Sequence, residues 1–167
     1  MDARIREATA ADARAVGLMH LAAWREAYGA LLPGDVFPDD AEARWIRRWQ
    51  GNLAQHDADV VLRIAERDGA VVGLATAGPG RANDTAGPPV RAREVWALYV
   101  LASEYGSGLA ARLLEAVLPR DVPAELWVFE ANPRARAFYV KQGFAPDGGR
   151  HVFGPELGGQ AEIRMVR

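Results

Sequence analysis

The chain has no cysteine. Disulfides, thiolate metal sites and a cysteine nucleophile are thereby excluded. Lys141 is its one lysine, so positive charge is carried almost wholly by arginine. Serine is nearly absent, with only Ser103 and Ser107, and the three histidines, His20, His56 and His151, are far apart in sequence. No Ser–His–Asp set can be picked out, and dispersed histidines make a poor metal site. An excess of one charge sign is also missing. The formal net charge is −2, which leaves no electrostatic footprint for nucleic acid. No apolar run approaches the roughly 20 residues of a membrane span. The opening stretch MDARIREATAADARAV has no signal-peptide apolar core. The expectation is a cytoplasmic domain with no nucleic-acid partner, no membrane partner and no metal. The 167 residues, half of them hydrophobic and a quarter charged, suit one domain, 1–167, able to bury a sizeable core.

What is present is a regular alternation of strand and helix signals. Arg4–Ala8 is strand-compatible. Thr9, three residues before Asp12, opens a long helical stretch in the manner of a capping box. Val16, Met19, Ala23 and Tyr28 follow helical spacing, with Trp24 beside them. Gly29 and Pro33-Gly34 end that pattern. A second helix is expected over Asp40–Gln55. Val60–Ala65 and Val71–Ala77 read as strands joined by an Arg67-Asp68-Gly69 hairpin turn. Gly78–Arg91 is rich in Gly and Pro and reads as a long loop. Glu94–Leu101 is a strand, Leu109–Leu118 a helix, and Glu125–Phe129 a strand. Asn132-Pro133 opens the last helix, which stops near Gln142-Gly143. Phe144, His151–Phe153 and Glu162–Val166 offer short final strands. An open mixed sheet with helices on both faces follows, with a parallel strand–helix–strand unit over 94–129.

The stretch EVWALYVLASEYGSGLAARLL, 94–114, carries the first functional signal. Small residues at 106, 108 and 110 lie where a strand hands over to a helix. The first amides of that helix have no internal partner and carry partial positive charge. Such a turn suits a pyrophosphate. It is neither a P-loop nor a dinucleotide glycine motif, because the GK[ST] and G-x-G-x-x-G spacings are missing.

Two blocks together resemble the GNAT N-acyltransferase superfamily. The first is Leu98-Tyr99-Val100 followed by Tyr105-Gly106-Ser107-Gly108-Leu109-Ala110, similar to that family's Gln/Arg-x-x-Gly-x-Gly/Ala acetyl-CoA motif. The second is LWVFEANPRARAFYVKQGF, Leu126–Phe144, similar to its strand–Asn–helix–Phe-Tyr–Gly-Phe signature. WREAY at 24–28 and the late strand pair also fit. The resemblance implies an α/β (α+β) fold: a mixed central sheet splayed at its middle, helices on both faces, and acyl-CoA in the cleft. It implies an N-acetyltransferase with acetyl-CoA as donor, and a small-molecule or peptide amine as acceptor. Homodimers are frequent in the family. One departure stands out, since Tyr105 occupies the usual Gln or Arg position, leaving pyrophosphate binding mainly to backbone amides.

The same resemblance implies residue roles. Amides near Tyr99 and Val100, with Leu98, would polarise the thioester carbonyl. Residues 105–110 would hold the pyrophosphate, and Ser107 would donate its hydroxyl. Asn132 would cap its helix, contact the cofactor, or do both. Tyr139 lies two helical turns further on, hence on the same face, and would donate to the departing thiolate. Glu94 would take the proton of the amine, directly or through water; Glu104 and Glu130 are weaker alternatives. Trp24 and Tyr28 would line the acceptor site, with the Gly78–Arg91 loop as another wall. Two other readings stay open: a non-catalytic acyl-CoA-binding domain of this fold, and an unrelated nucleotide-binding α/β protein.

Overall fold

A computed structural model of the protein describes residues 2–55, 57–83 and 87–167. Among the described residues, seven strands form one sheet, in the order β1-β2-β3-β4-β5-β7-β6. They are β1 (Arg4–Glu7), β2 (Val61–Arg67), β3 (Ala70–Pro79), β4 (Arg93–Val100), β5 (Glu125–Phe129), β6 (Ala145–Val152) and β7 (Ala161–Val166). Four helices join them: α1 (Ala13–Tyr28), α2 (Ala41–Ala54), α3 (Leu109–Val117) and α4 (Pro133–Lys141). Every neighbouring strand pair is antiparallel except β4 with β5, the parallel pair expected for a strand–helix–strand crossover.

Local chemistry accounts for most of these boundaries. Asp68 and Gly69 both take positive φ between β2 and β3, the conformation of a tight type I′ hairpin. The Thr9 N–H donates to Asp12 Oδ2 at 2.8 Å, as the capping box expects. The same carboxylate receives a two-pronged Arg6 fork at 2.8 Å on each oxygen. A short 3-10 turn, Ala10–Asp12, intervenes before α1 begins.

Two expectations needed revision. The loop begins later than Gly78, because Gly78 and Pro79 pair with Glu94 and Arg93 as the end of β3. The strand expected at His151–Phe153 starts at Ala145. Pro146, Asp147, Gly148 and Gly149 are poor strand formers, and the β6–β7 register breaks between Pro146 and Arg150. Edge position explains their tolerance, since β6 pairs on one side only.

The sheet separates two cores. On one face α3 and α4 cover Val95, Leu126 and Met165 with Leu109, Leu113, Leu114, Tyr139 and Phe144. On the other, α1 and α2 cover Ile64 and Leu74 with Val16, Met19, Ala23 and Trp49. Each such buried leucine contributes roughly 1.5–3 kcal/mol over its exposed state.

The middle of the sheet is where it opens. β4 and β5 pair only at Glu94–Glu125 and Val95–Leu126. On the other edge of β4, Val95 and Ala97 face consecutive β3 residues, Ala77 and Thr76, so Trp96 is an extra, unpaired residue. Such a bulge bends its strand and sharpens its twist. Beyond it, β4 and β5 diverge and leave a cleft between the two cores.

Candidate active site

The cleft encloses about 1410 Å³ and is lined from both faces of the sheet. Its floor is the unpaired edge of β4, from Trp96 to Val100. The Leu101 N–H bonds to Val72 O on β3 at 3.0 Å. Alternation along an antiparallel strand then turns the Tyr99 amide towards β3 and those of Leu98 and Val100 towards the cleft. The expectation for Leu98, Tyr99 and Val100 is thus divided. Val100 and Leu98 offer backbone donors, whereas Tyr99 offers its ring, 4.4 Å from that of His20.

One end of the cleft is the turn before α3. Gly106 and Gly108 have φ of +78° and +82°, a region that costs other residues 1–2 kcal/mol or more. A side chain there would project into open space. The first turn-closing bond of α3 runs from Arg112 N to Gly108 O. Among the described residues, the amides of Gly106, Gly108, Ala110 and Ala111 have no backbone partner. They form a concave set of donors at the positive end of a helix dipole.

Not every residue of 105–110 faces this space. Leu109 is buried in the α3 core. The Ser107 hydroxyl donates to Glu104 O at 2.7 Å and accepts weakly from the Leu109 amide at 3.3 Å. It braces the turn, in place of the expected hydroxyl pointed at phosphate. Glu104 is itself held by an Arg67 fork at 2.8 Å on each oxygen, so this carboxylate serves the turn's structure.

Tyr105 brings a cation with it. The Arg134 guanidinium lies 3.5 Å from the centre of the Tyr105 ring, and its Nη2 donates to the phenol oxygen at 2.7 Å. Both residues line the cleft. A positive charge therefore stands at the turn although position 105 carries none. The sequence alone gave no sign of this, since Arg134 belongs to the other block.

Asn132 combines two tasks. Its Oδ1 accepts from the Ala135 amide at 3.0 Å, which caps α4. Its Nδ2 reaches the Tyr28 hydroxyl at 3.4 Å, linking α4 to α1 across the cleft. Tyr139 follows on α4, buried, with its ring against Phe138 and Phe144. Burial, and secondarily the nearby Tyr28, pushes its phenol well above the ordinary value. Among the described residues its hydroxyl has no hydrogen-bond partner, and it lines the cleft.

The other half of the cleft is aromatic. Trp24 packs edge-on to Tyr28 at 5.3 Å and to Trp45 at 5.6 Å. Tyr28 meets Phe129 at 4.8 Å, and Phe129 meets Phe153 at 5.6 Å. The structure thus brings Trp24 and Tyr28 together on one cleft wall. His20 is buried beneath it. Its Nδ1 accepts from Trp49 Nε1 at 3.2 Å, so the neutral ring carries its proton on Nε2. Burial, with the charge of Arg48, pushes this imidazole down to about 3. Among the described residues, three carboxyl or imidazole groups never come together as a metal would need; His56 lies outside them.

Two carboxylates enter this aromatic half. Glu94 is buried, and its oxygens accept from the Arg81 amide at 2.8 Å and from Arg81 Nη2 at 2.6 Å. Arg81 in turn stacks over Trp96 at 4.6 Å. Its donors therefore take up the lone pairs that a proton-accepting Glu94 would use. Arg81, Ala82 and Asn83 line the cleft, so part of the Gly78–Arg91 loop does form a wall; residues 84–86 lie outside the described residues. Glu130, a weaker sequence candidate, is exposed and paired with Arg150.

The second carboxylate, Glu162 on β7, was not singled out by the sequence. It stands directly opposite Phe129 on one side and His151 on the other, so the three side chains share a face. It lines the cleft. Among the described residues it has no ion-pair or hydrogen-bond partner. Burial, and then repulsion from Glu94, pushes it up to about 7, with Arg81 opposing.

A family model described as the acetyltransferase (GNAT) family matches residues 21–144. The chain belongs to the GNAT acetyltransferase family. A probable N-acetyltransferase of Mycobacterium tuberculosis (strain ATCC 25618 / H37Rv) is 30% identical over 158 residues, which is 93% of this GNAT chain and 87% of the relative. The PaiA N-acetyltransferase of Thermoplasma acidophilum, solved in complex with coenzyme A, shares the fold with a TM-score of 0.63 at 17% identity, over 98% of each chain. YncA of Salmonella typhimurium, solved with its cofactor acetyl-CoA, gives 0.63 at 19% identity over 100% of this chain and 94% of its own. The mixed, splayed sheet expected from the two sequence blocks is therefore the GNAT fold. A cleft with free helix-end amides, an open strand edge and an arginine at its mouth suits an acyl-CoA donor of the kind these neighbours hold. No helix among the described residues is long and apolar enough to cross a membrane.

Proposed function

We propose that this GNAT protein moves an acetyl group from acetyl-CoA to a primary amine by direct transfer in a ternary complex. The observation that carries this reading is the division of the cleft at the split between β4 and β5. Phosphate-suited donors lie at one end, carboxylates and rings at the other, and the open amides of Leu98 and Val100 between them. The amine nitrogen forms a bond to the acetyl carbon as the carbon–sulfur bond breaks. The Leu98 and Val100 amides stabilise charge developing on the carbonyl oxygen. Tyr139 donates a hydrogen bond to the departing thiolate. The amine's proton passes to a carboxylate of the acceptor half. Glu94 was the sequence candidate, but its engagement by Arg81 favours Glu162, with Glu94 setting the field around it. An acyl-enzyme route has little support, because the chain lacks cysteine and Ser107 is committed to its turn.

The test is free-thiol release from acetyl-CoA over a panel of primary amines. Amine-dependent release is expected. Tight acetyl-CoA binding with no release for any amine would instead support the non-catalytic binding domain. Arg134→Ala is expected to raise the KM for acetyl-CoA about tenfold, the cost of one charge-assisted contact, with little change in kcat. The wild-type KM should also rise with added salt, since an exposed charge contact is screened. An unchanged KM in the variant would leave the backbone amides as the whole phosphate site.

A further inference from the structure

The acceptor half of the cleft is specific enough to name a substrate class, an inference that rests on the acetyl-transfer reading above. Its wall is a continuous run of rings from Trp45 through Trp24, Tyr28 and Phe129 to Phe153, with neighbouring centroids 4.8–5.6 Å apart. These rings line the cleft beside the open edge of β4. The charge arrangement is equally definite. Arg81 and Glu94 satisfy one another. Glu162 stands next to Phe129 in the ladder and, among the described residues, is in no ion pair, the Arg81 guanidinium being bound to Glu94 and acting on Glu162 only from beyond contact. An apolar ring wall ending at an unpaired carboxylate complements a molecule with one ammonium and a flat apolar body.

We propose that the acceptor is an aromatic primary monoamine, its ring against Phe129 and Phe153 and its ammonium at Glu162. Ring-on-ring contact favours an aromatic body over an aliphatic one of equal size. The faces of the same rings favour a cation near them. A linear polyamine fits worse, because along the ring wall its further ammonium groups find rings and the Arg48 and Arg81 guanidinium groups, whereas the other lining carboxylates without an ion pair among the described residues, Glu7 at the end of β1 and Asp57 ahead of β2, do not belong to that wall.

The experiment compares tryptamine and phenethylamine with n-hexylamine, ethylamine and spermidine, by thiol release at saturating acetyl-CoA. The aryl amines are expected to exceed the other three in kcat/KM by about tenfold or more, the scale of one or two aromatic contacts. Phe153→Leu, which keeps the apolar packing, is expected to narrow the tryptamine-to-ethylamine ratio several-fold. Preference for spermidine, or equal rates for tryptamine and n-hexylamine, would overturn the aromatic assignment and leave acetyl transfer standing. Absence of release with every amine would overturn acetyl transfer itself, and this assignment with it.

Discussion

Tyr139→Phe is expected to lower kcat about a hundredfold, some 2.7 kcal/mol of transition-state stabilisation, while the KM for acetyl-CoA stays within about twofold. The reasoning starts from burial. Its surroundings hold the phenol protonated far above neutral pH. A free thiol has a pKa of about 8.5, so this phenol is a weaker acid than the thiol it would protonate. Its contribution is therefore a hydrogen bond that strengthens as charge collects on sulfur, and full proton transfer is left to solvent. A contact made mainly in the transition state affects kcat and spares ground-state binding. Removing the hydroxyl leaves no buried group unpaired, because among the described residues it has no partner. The melting temperature should accordingly move by no more than about 2 °C. Single-turnover thiol release by stopped flow is the measurement. Wild-type turnover in the variant would remove Tyr139 from the chemistry.

Glu162→Gln should cost about two orders of magnitude in kcat/KM, the usual scale for loss of a general base. In the parent, kcat/KM should rise with pH through a limb near 7, as Glu162 loses its proton. The groups bearing on that limb are Glu94, which raises it, Arg81, which lowers it, and His151 opposite on β6. Glutamine should abolish the limb. Glu94→Gln keeps an acceptor for Arg81 but removes the repulsion. Its limb should move to lower pH with most activity retained. If Glu94→Gln abolishes the limb and Glu162→Gln preserves it, the proton goes to Glu94, the residue the sequence suggested.

Stability separates this role from a structural one. The folded-state pKa of Glu162 is above the unfolded carboxyl value. The native state therefore binds the proton more tightly, and stability falls as pH rises from about 4.5 through 7. Glutamine removes that penalty. The variant should be at least as stable as the parent at pH 8 while being far less active, and thermal melts at pH 5 and pH 8 would show it.

Much of the molecule was legible in one dimension. The hairpin at Asp68-Gly69, the Asn132 cap and the strand–turn–helix at 106–110 depend on contacts between near neighbours, which local residue types dictate. The two sequence blocks were enough to indicate a splayed sheet. The β6 strand was harder, because Pro146 and the Gly148-Gly149 pair argue against a strand, and only the β7 ladder holds them in one.

Site chemistry divides along the same line. The sequence by itself determined the glycine turn, the tyrosine on the cleft-facing side of α4 and the lack of a thiol nucleophile. Each follows from residue type at a fixed spacing. Tertiary structure alone decided which carboxylate is free. Glu94 and Arg81 are thirteen residues apart, and nothing in that spacing says they meet. Glu162 looks like any alternating strand residue until pairing with Phe129 sets it in the cleft. Arg134 likewise reaches Tyr105 across 29 positions. Burial, charge compensation and pKa depend on what surrounds a group in space, and those neighbours come from distant parts of the chain.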